Sequence, residues 1–126
     1  MAKLLFDTDV IIDFLRGKQG AKKIMSSVRD EDMPCCSAVT VAEIRAGMRD
    51  EEEPATMAFL ESFDILSIDK KVAQIAGDLK RKTKQQQLEL DDCFIAATAL
   101  IHQAVLITHN PKHYPHKDLV LKKARY

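Results

Sequence analysis

Carboxylates stand in three segments of this chain that are otherwise apolar enough to fill a core. The acids of interest are Asp7, Asp9 and Asp13 in LLFDTDVIIDFL, Glu43 in TVAEI, and Asp91 and Asp92 in LELDDCFIA. Two carboxylates about 4 Å apart repel by roughly 4 kcal/mol at an effective dielectric near 20, so a cluster of them needs a proton or a cation. Oxygen ligands without His or Cys suit Mg²⁺ or Mn²⁺, which can activate water against a phosphodiester.

Each of these acids other than Asp13 also has a purely structural interpretation as a helix cap. Asp is favoured at helix N-termini, where Asp7 and Asp9 stand, by side-chain capping and by the helix dipole. Thr40 and Glu43 have the spacing of a capping box. The two acids of LELDDCFIA likewise stand where a helix begins. Capping alone does not explain why the acids would gather in one apolar setting.

The elements that must position these acids alternate between strand and helix. Runs of apolar and β-branched residues predict strands at 3–6, 34–37, 65–68, 105–108 and 119–121. Helical periodicity and capping residues predict helices at 8–17 (starting at Thr8 or Asp9), 21–28, 40–47 (starting at Thr40), 54–62, 69–79 (starting at Asp69) and 91–100, with an acidic loop at 50–53. This alternation predicts an α/β sandwich around a mostly parallel sheet. Ligands in such folds bind beyond the carboxyl ends of the strands, where Asp7 would lie.

Length and composition are those of an ordinary globular protein. We expect the 126 residues to form one domain, and 19 basic residues balance 19 acidic ones, so net charge argues neither for nor against a nucleic-acid partner. The three cysteines are odd in number, which favours reduced thiols, packed as small core residues, over disulfides. No apolar run approaches the ~20 residues that a membrane span needs. We therefore expect a cytoplasmic protein.

Four segments of the chain, taken in order and spacing, resemble the motifs of a known family. They are LLFDTDVIIDFLRG, TVAEIRAG, DCFIAATAL and LITHNPKHY. These segments resemble PIN-domain ribonucleases, and more narrowly the VapC-type toxins of type II toxin–antitoxin pairs. The resemblance extends from Leu4 to about Leu121 and implies a three-layer PIN-like sandwich.

The resemblance also implies a site and an activity. By position, the family's acidic metal ligands fall on Asp7, Glu43 and Asp92, with Glu43 able to act through water, and Asp91 lies one place off the pattern. Asn110 occupies the place where the family usually has a fourth ligand, an Asp or Asn, while Asp9 and Thr108 would support the site.

The implied activity is that of a Mg²⁺- or Mn²⁺-dependent endoribonuclease. It would cleave structured RNA of the translation machinery and be silenced by a cognate antitoxin that covers the acidic pocket. The resemblance further implies a homodimer.

Three other functions fit part of the pattern. LLFDTDV also matches the strand and D-x-D-x-V of haloacid-dehalogenase-type phosphatases, in which Asp7 would be the nucleophile and Glu43 would have no role. A phospho-receiver domain has a similar length, but it would need its phosphorylated Asp after the third strand, where Asp69 lacks the expected surroundings. A PIN-like domain could also bind RNA without cleaving it. His109, His113 and His116 lie in a loop with no cysteine pair, which disfavours a zinc site.

Overall fold

The computed structural model describes residues 2–84 and 88–126 of the chain. Its strands are β1 (Lys3–Phe6), β2 (Met33–Ser37), β3 (Asp64–Leu66), β4 (Val105–Thr108) and β5 (Leu121–Lys123). Its α-helices are α1 (Thr8–Leu15), α2 (Gln19–Ser26), α3 (Ala38–Gly47), α4 (Glu53–Leu60), α5 (Lys70–Lys82) and α6 (Leu90–His102). Two short 3₁₀ turns, Asp50–Glu52 and Pro111–His113, complete the described elements.

The five strands form one sheet in the order β3-β2-β1-β4-β5, and every neighbouring pair is parallel. β1 is the central strand, which explains why its sequence is apolar: Leu5 and Phe6 are fully buried. The predicted α/β fold is confirmed, and the sheet, expected to be mostly parallel, is parallel throughout.

Helices cover both faces of the sheet, because successive side chains of a strand point to opposite sides. Phe6 joins a cluster with Val10, Ile11 and Ile44 on the α1 and α3 side. Leu5 faces the other way and packs in a cluster that includes Ile95 of α6. The cysteines are buried as predicted, with Cys35 and Cys36 in β2 and Cys93 in α6.

The strand order reverses between β1 and β4, and this reversal places the candidate site. From β1 the chain adds β2 and then β3 on one side, whereas β4 and β5 lie on the other. The connections on the two sides diverge at this point and leave a crevice at the carboxyl ends of the strands. Asp7 follows β1 directly and Thr108 ends β4, so both residues border that crevice.

Several predicted boundaries are wrong in a physically informative way. The N-cap of α1 is Asp7, not Thr8 or Asp9, and α1 ends at Leu15, two residues before Gly17 with its positive φ of 80°. α3 begins at Ala38 because the Ser37 hydroxyl accepts a hydrogen bond from the Val39 N–H, so the predicted start at Thr40 and its capping box with Glu43 do not form.

Other boundaries move by a few residues. The acidic 50–53 segment is a 3₁₀ turn leading into α4, and the third and fifth strands are shifted to 64–66 and 121–123. The predicted cap of α5 is confirmed, since the Asp69 carboxylate accepts a 2.9 Å hydrogen bond from the Val72 N–H. The polar tract 85–87 lies outside the described residues. No helix within 2–84 or 88–126 has the length and apolar character to cross a bilayer.

Candidate active site

Asp7 is buried where β1 ends, although a carboxylate at this place would ordinarily face solvent as a helix cap. Its side chain makes no capping hydrogen bond to α1. Instead the Thr108 hydroxyl donates a 2.8 Å hydrogen bond to Asp7 Oδ2 from the neighbouring strand. Only 4% of Asp7 is exposed, and this burial raises the pKa of its carboxyl, while the bond from Thr108 partly offsets the rise. Asp7 is therefore the N-cap of α1 by position, but its side chain does not serve as a cap.

Tyr114 links Asp7 to Asp92 in the first turn of α6. The Tyr114 ring is buried, and its hydroxyl lies 3.4 Å from Asp92 Oδ1 and within hydrogen-bonding reach of Asp7. Burial, and after it the nearby charges of Asp91 and Asp7, raise the pKa of Asp92 to about 6. Burial beside two carboxylates also raises the pKa of the Tyr114 hydroxyl, which therefore stays protonated as a donor.

Glu43 reaches the same region from α3 and belongs to a second pair of acids. The Thr8 hydroxyl donates a 2.7 Å hydrogen bond to Glu43 Oε1 and lies 2.9 Å from the Thr40 hydroxyl. Burial raises the pKa of Glu43 to about 7, and a carboxyl–carboxyl hydrogen bond with Asp91 contributes to the shift. Neighbouring acids of α6 thus face different partners, with Asp92 beside Asp7 and Asp91 beside Glu43.

The remaining predicted residues lie around these two pairs of acids. Asn110 donates a 3.2 Å hydrogen bond from Nδ2 to Asp9 Oδ2, and its backbone N–H donates a 3.0 Å bond to the Thr108 hydroxyl. The amide of Asn110 is therefore turned toward Asp9. Asp13 is not part of the site, because it bonds to the Tyr126 hydroxyl and pairs with Lys18 at 3.3 Å.

The donor set of the site consists of hard oxygen atoms, and its acids carry more negative charge than nearby cations neutralise. The His113 ring lies beside Asp92, with its Nδ1 3.5 Å from Oδ2. Within the described part of the chain, no three His, Cys, Asp or Glu side chains already converge as a finished ion cage. The acids stand instead as two adjacent pairs, and burial, together with the charge of neighbouring acids, raises the pKa values of Asp7, Glu43 and Asp92.

Comparison with known proteins agrees with this arrangement. The family model described as PIN domain matches residues 4–118. The chain belongs to the PIN domain family. This membership replaces the phosphatase and phospho-receiver alternatives, since a single PIN match covers both the DTD segment and Glu43.

Relatives within the PIN family are of the VapC type. The chain is 34% identical over 114 residues to ribonuclease VapC10 of Mycobacterium tuberculosis, covering 89% of this chain and 86% of the relative. It is 29% identical over 116 residues to ribonuclease VapC1 of Methanocaldococcus jannaschii, covering 90% and 79%.

Solved PIN structures share the fold over nearly the whole chain. A toxin–antitoxin complex from Klebsiella pneumoniae matches with a TM-score of 0.79 and 30% identity, covering 93% of this chain and 95% of that one. VapBC2 from Rickettsia felis, bound to a DNA fragment from its promoter, matches with a TM-score of 0.85. Its identity is 18% and it covers 98% of this chain and 99% of that one, so this second likeness concerns the fold alone.

Sequence reasoning missed two residues of this PIN site. Thr8 was considered only as a helix cap, yet its hydroxyl holds Glu43. Tyr114 was not considered at all, although one signal was present: a tyrosine in a segment that must pack on the sheet needs a partner for its hydroxyl. Here the partners are two carboxylates.

Proposed function

We propose that this chain is a Mg²⁺- or Mn²⁺-dependent endoribonuclease. The observation that carries the proposal is the pair of carboxylates formed by buried Asp7 and half-buried Asp92 at the crevice, held by Thr108 and Tyr114 respectively, with a second acid pair beside them. A fold gains nothing from concentrating this much like charge unless the site has a use for it. The relatives named ribonuclease VapC support an RNA substrate.

The donor set fits a hard divalent cation. Asp7 and Asp92 would hold the ion, with Glu43 reaching it through water, since Thr8 keeps the Glu43 carboxylate on the α3 side of the crevice. Asn110 gives its amide to Asp9 and is neutral, which favours one bound ion over two. When bound, the ion would supply charge for the phosphodiester oxygens and acidify a water molecule.

Protein groups around the acids prepare this site. Thr108 fixes one oxygen of Asp7, and Tyr114 fixes one oxygen of Asp92. The other oxygen of each carboxylate is left for a cation. His113 stands exposed at the rim next to Asp92, where it would meet an RNA phosphate.

We further propose that the chain is a toxin silenced by an antitoxin, as the PIN resemblance implies. A groove of about 100 Å³ runs between α1 and α3 and ends at the acids; it is lined by Ile12, Leu15, Ile44, Met48 and Glu43, among others. An antitoxin segment lying in this groove would cover Glu43. The similar structure from Klebsiella pneumoniae is a toxin–antitoxin complex, which supports such a partner. Structured RNA of the translation machinery as substrate, and a homodimer, are parts of the same proposal.

Induced expression tests the function directly. We expect the parent chain to arrest growth, and we expect Asp92→Asn to relieve the arrest. Asp13→Asn is the matched control, because it makes the same change on α1 at an acid that lies outside the site, and it should remain toxic. Sequencing the RNA ends that appear shortly after induction identifies the substrate. Equal toxicity of the parent and Asp92→Asn would refute a metal-dependent nuclease.

A further inference from the structure

Tyr114 is held rigidly in a place that has no contact with solvent. It follows the 3₁₀ turn Pro111–His113, and its backbone N–H donates a 3.0 Å hydrogen bond to the Pro111 carbonyl. Only 1% of the residue is exposed, and its ring packs in the cluster that contains Leu5, Leu106 and Leu119. The ring therefore cannot swing away from the acids without opening the core.

The hydroxyl of Tyr114 donates a 3.4 Å hydrogen bond to Asp92 Oδ1 and lies close to the Asp7 carboxylate, so it stands between the two acids. These two acids come from different elements, the end of β1 and the first turn of α6, and like charge drives their carboxylates apart. Thr108 already fixes one oxygen of Asp7. An apolar side chain at 114 would fill the same space but would leave the Asp92 carboxylate free to turn toward solvent and His113.

We propose that the Tyr114 hydroxyl is a positioning group that holds the Asp92 carboxylate beside the Asp7 carboxylate, which Thr108 fixes, so that the two bind a single divalent cation. The inference rests on the proposed metal-dependent function and adds to it a residue that carries no carboxylate. Tyr114 touches neither RNA nor the ion in this role. It acts by fixing the orientation of two ligands, in the way that outer hydrogen bonds usually tune metal affinity.

Binding of Mn²⁺ to the folded chain tests the proposal without any RNA. Free Mn²⁺ is measured by its electron paramagnetic resonance signal during titration of the parent, Tyr114→Phe and Tyr126→Phe. Tyr126→Phe is the matched control, because it also removes a hydroxyl that bonds a carboxylate, that of Asp13, outside the site. We expect the dissociation constant of Tyr114→Phe to rise by about 10- to 100-fold, and that of Tyr126→Phe to stay within about twofold of the parent.

A packing control separates positioning from general damage to the core. Leu119→Val loosens the cluster around the Tyr114 ring but keeps the hydroxyl, so it should lower the melting temperature and leave Mn²⁺ affinity unchanged. Tyr114→Leu, which also lacks the hydroxyl, takes the place of Tyr114→Phe if the latter does not fold. Equal or tighter Mn²⁺ binding by the hydroxyl-free variant overturns the role of Tyr114. A parent that binds no Mn²⁺ overturns instead the metal-dependent function on which it rests.

Discussion

The Thr108 hydroxyl and the Asp7 carboxylate form a 2.8 Å hydrogen bond between two adjacent strands, across 101 residues of sequence. Both side chains are buried, and the bond joins the ends of β1 and β4 at the crevice where the strand order reverses. The same hydroxyl accepts the Asn110 N–H, so it also fixes the start of the loop that leads to Tyr114. This bond therefore fixes the position of Asp7 relative to β4 and to the loop that follows β4.

Thr108→Val should destabilise the fold in chelator by about 1.5–3 kcal/mol, because a buried carboxylate loses a donor and cannot recover it from water. The matched control is Thr98→Val in α6, which removes an equally buried hydroxyl that donates to the Phe94 carbonyl. That bond is between neutral groups, so its loss should cost about 0.5–1.5 kcal/mol. Urea unfolding of the two variants measures the difference. Equal losses would mean that Thr108 contributes nothing through the charge of Asp7.

Asp92→Asn should melt higher than the parent in chelator but gain less from Mn²⁺. Neutralising Asp92 removes its repulsion with Asp7 and Asp91, whereas a bound ion stabilises the parent by mass action, about 2.7 kcal/mol at a hundredfold excess over its dissociation constant. Asp7→Asn should behave in the same way. Melting curves with chelator and with Mn²⁺ provide the measurement. If the acids were only helix caps, Asn would cap equally well, and the parent and the variants would have the same melting temperature both in chelator and in Mn²⁺.

Asp91→Asn should keep more nuclease activity than Asp92→Asn. Asp92 accepts a hydrogen bond from Tyr114 and lies beside Asp7, whereas Asp91 faces Glu43 on the other side of the site. The measurement is single-turnover cleavage of a structured RNA by the two variants at equal concentrations of folded protein. A less active Asp91→Asn would assign the ligand role to Asp91 and place the family pattern one residue earlier on α6.

The pH dependence of stability in chelator should run opposite to that of a salt-bridged protein. The pKa of Glu43 rises from an ordinary 4.5 to about 7 on folding, and that of Asp92 rises from 3.8 to about 6. The folded chain therefore binds more protons than the unfolded chain between roughly pH 4 and 7, and its free energy of unfolding falls as pH increases through that window.

Urea unfolding at about pH 5 and about pH 8 measures this slope. Glu43→Gln should flatten it, while Glu61→Gln, an exposed acid on the far end of α4, should not. A parent whose stability increases with pH, with the same slope in Glu43→Gln, would contradict the raised pKa of Glu43. Added Mn²⁺ should reverse the slope, because cation binding needs deprotonated acids.

The fold was predictable because each strand and helix of this parallel α/β fold has its own local sequence pattern, an apolar run for a strand or a capped periodic segment for a helix. The run Val105–Thr108 was predicted with its actual bounds, and Asp69 was predicted as a cap that the structure confirms. Thr40 misled the prediction, since a capping-box spacing exists in the sequence but Ser37 comes first and begins α3 three residues earlier. Ser37 and Thr40 could each cap this helix, and the end of the preceding strand at Ser37 decides between them.

The position of the site was predictable, but the pairing of its acids was not. Asp7, Glu43 and Asp92 were predicted together, and the structure brings them to one crevice while pairing Glu43 with Asp91. That pairing depends on the rotation of α6 against α3, which no sequence spacing encodes. The place of Tyr114 depends on a loop folding back over the sheet, and loop paths are not marked by periodicity.

The central position of β1 also sets an order of events during synthesis. β1 is made first, but the strand that lies beside it and carries Thr108 follows 101 residues after Asp7, roughly 5 to 20 seconds later at ordinary elongation rates. Until then Asp7 has no donor from β4, and Tyr114 has not yet been added. A growing chain therefore has no assembled acid pair until β4 and the loop that carries Tyr114 have been added.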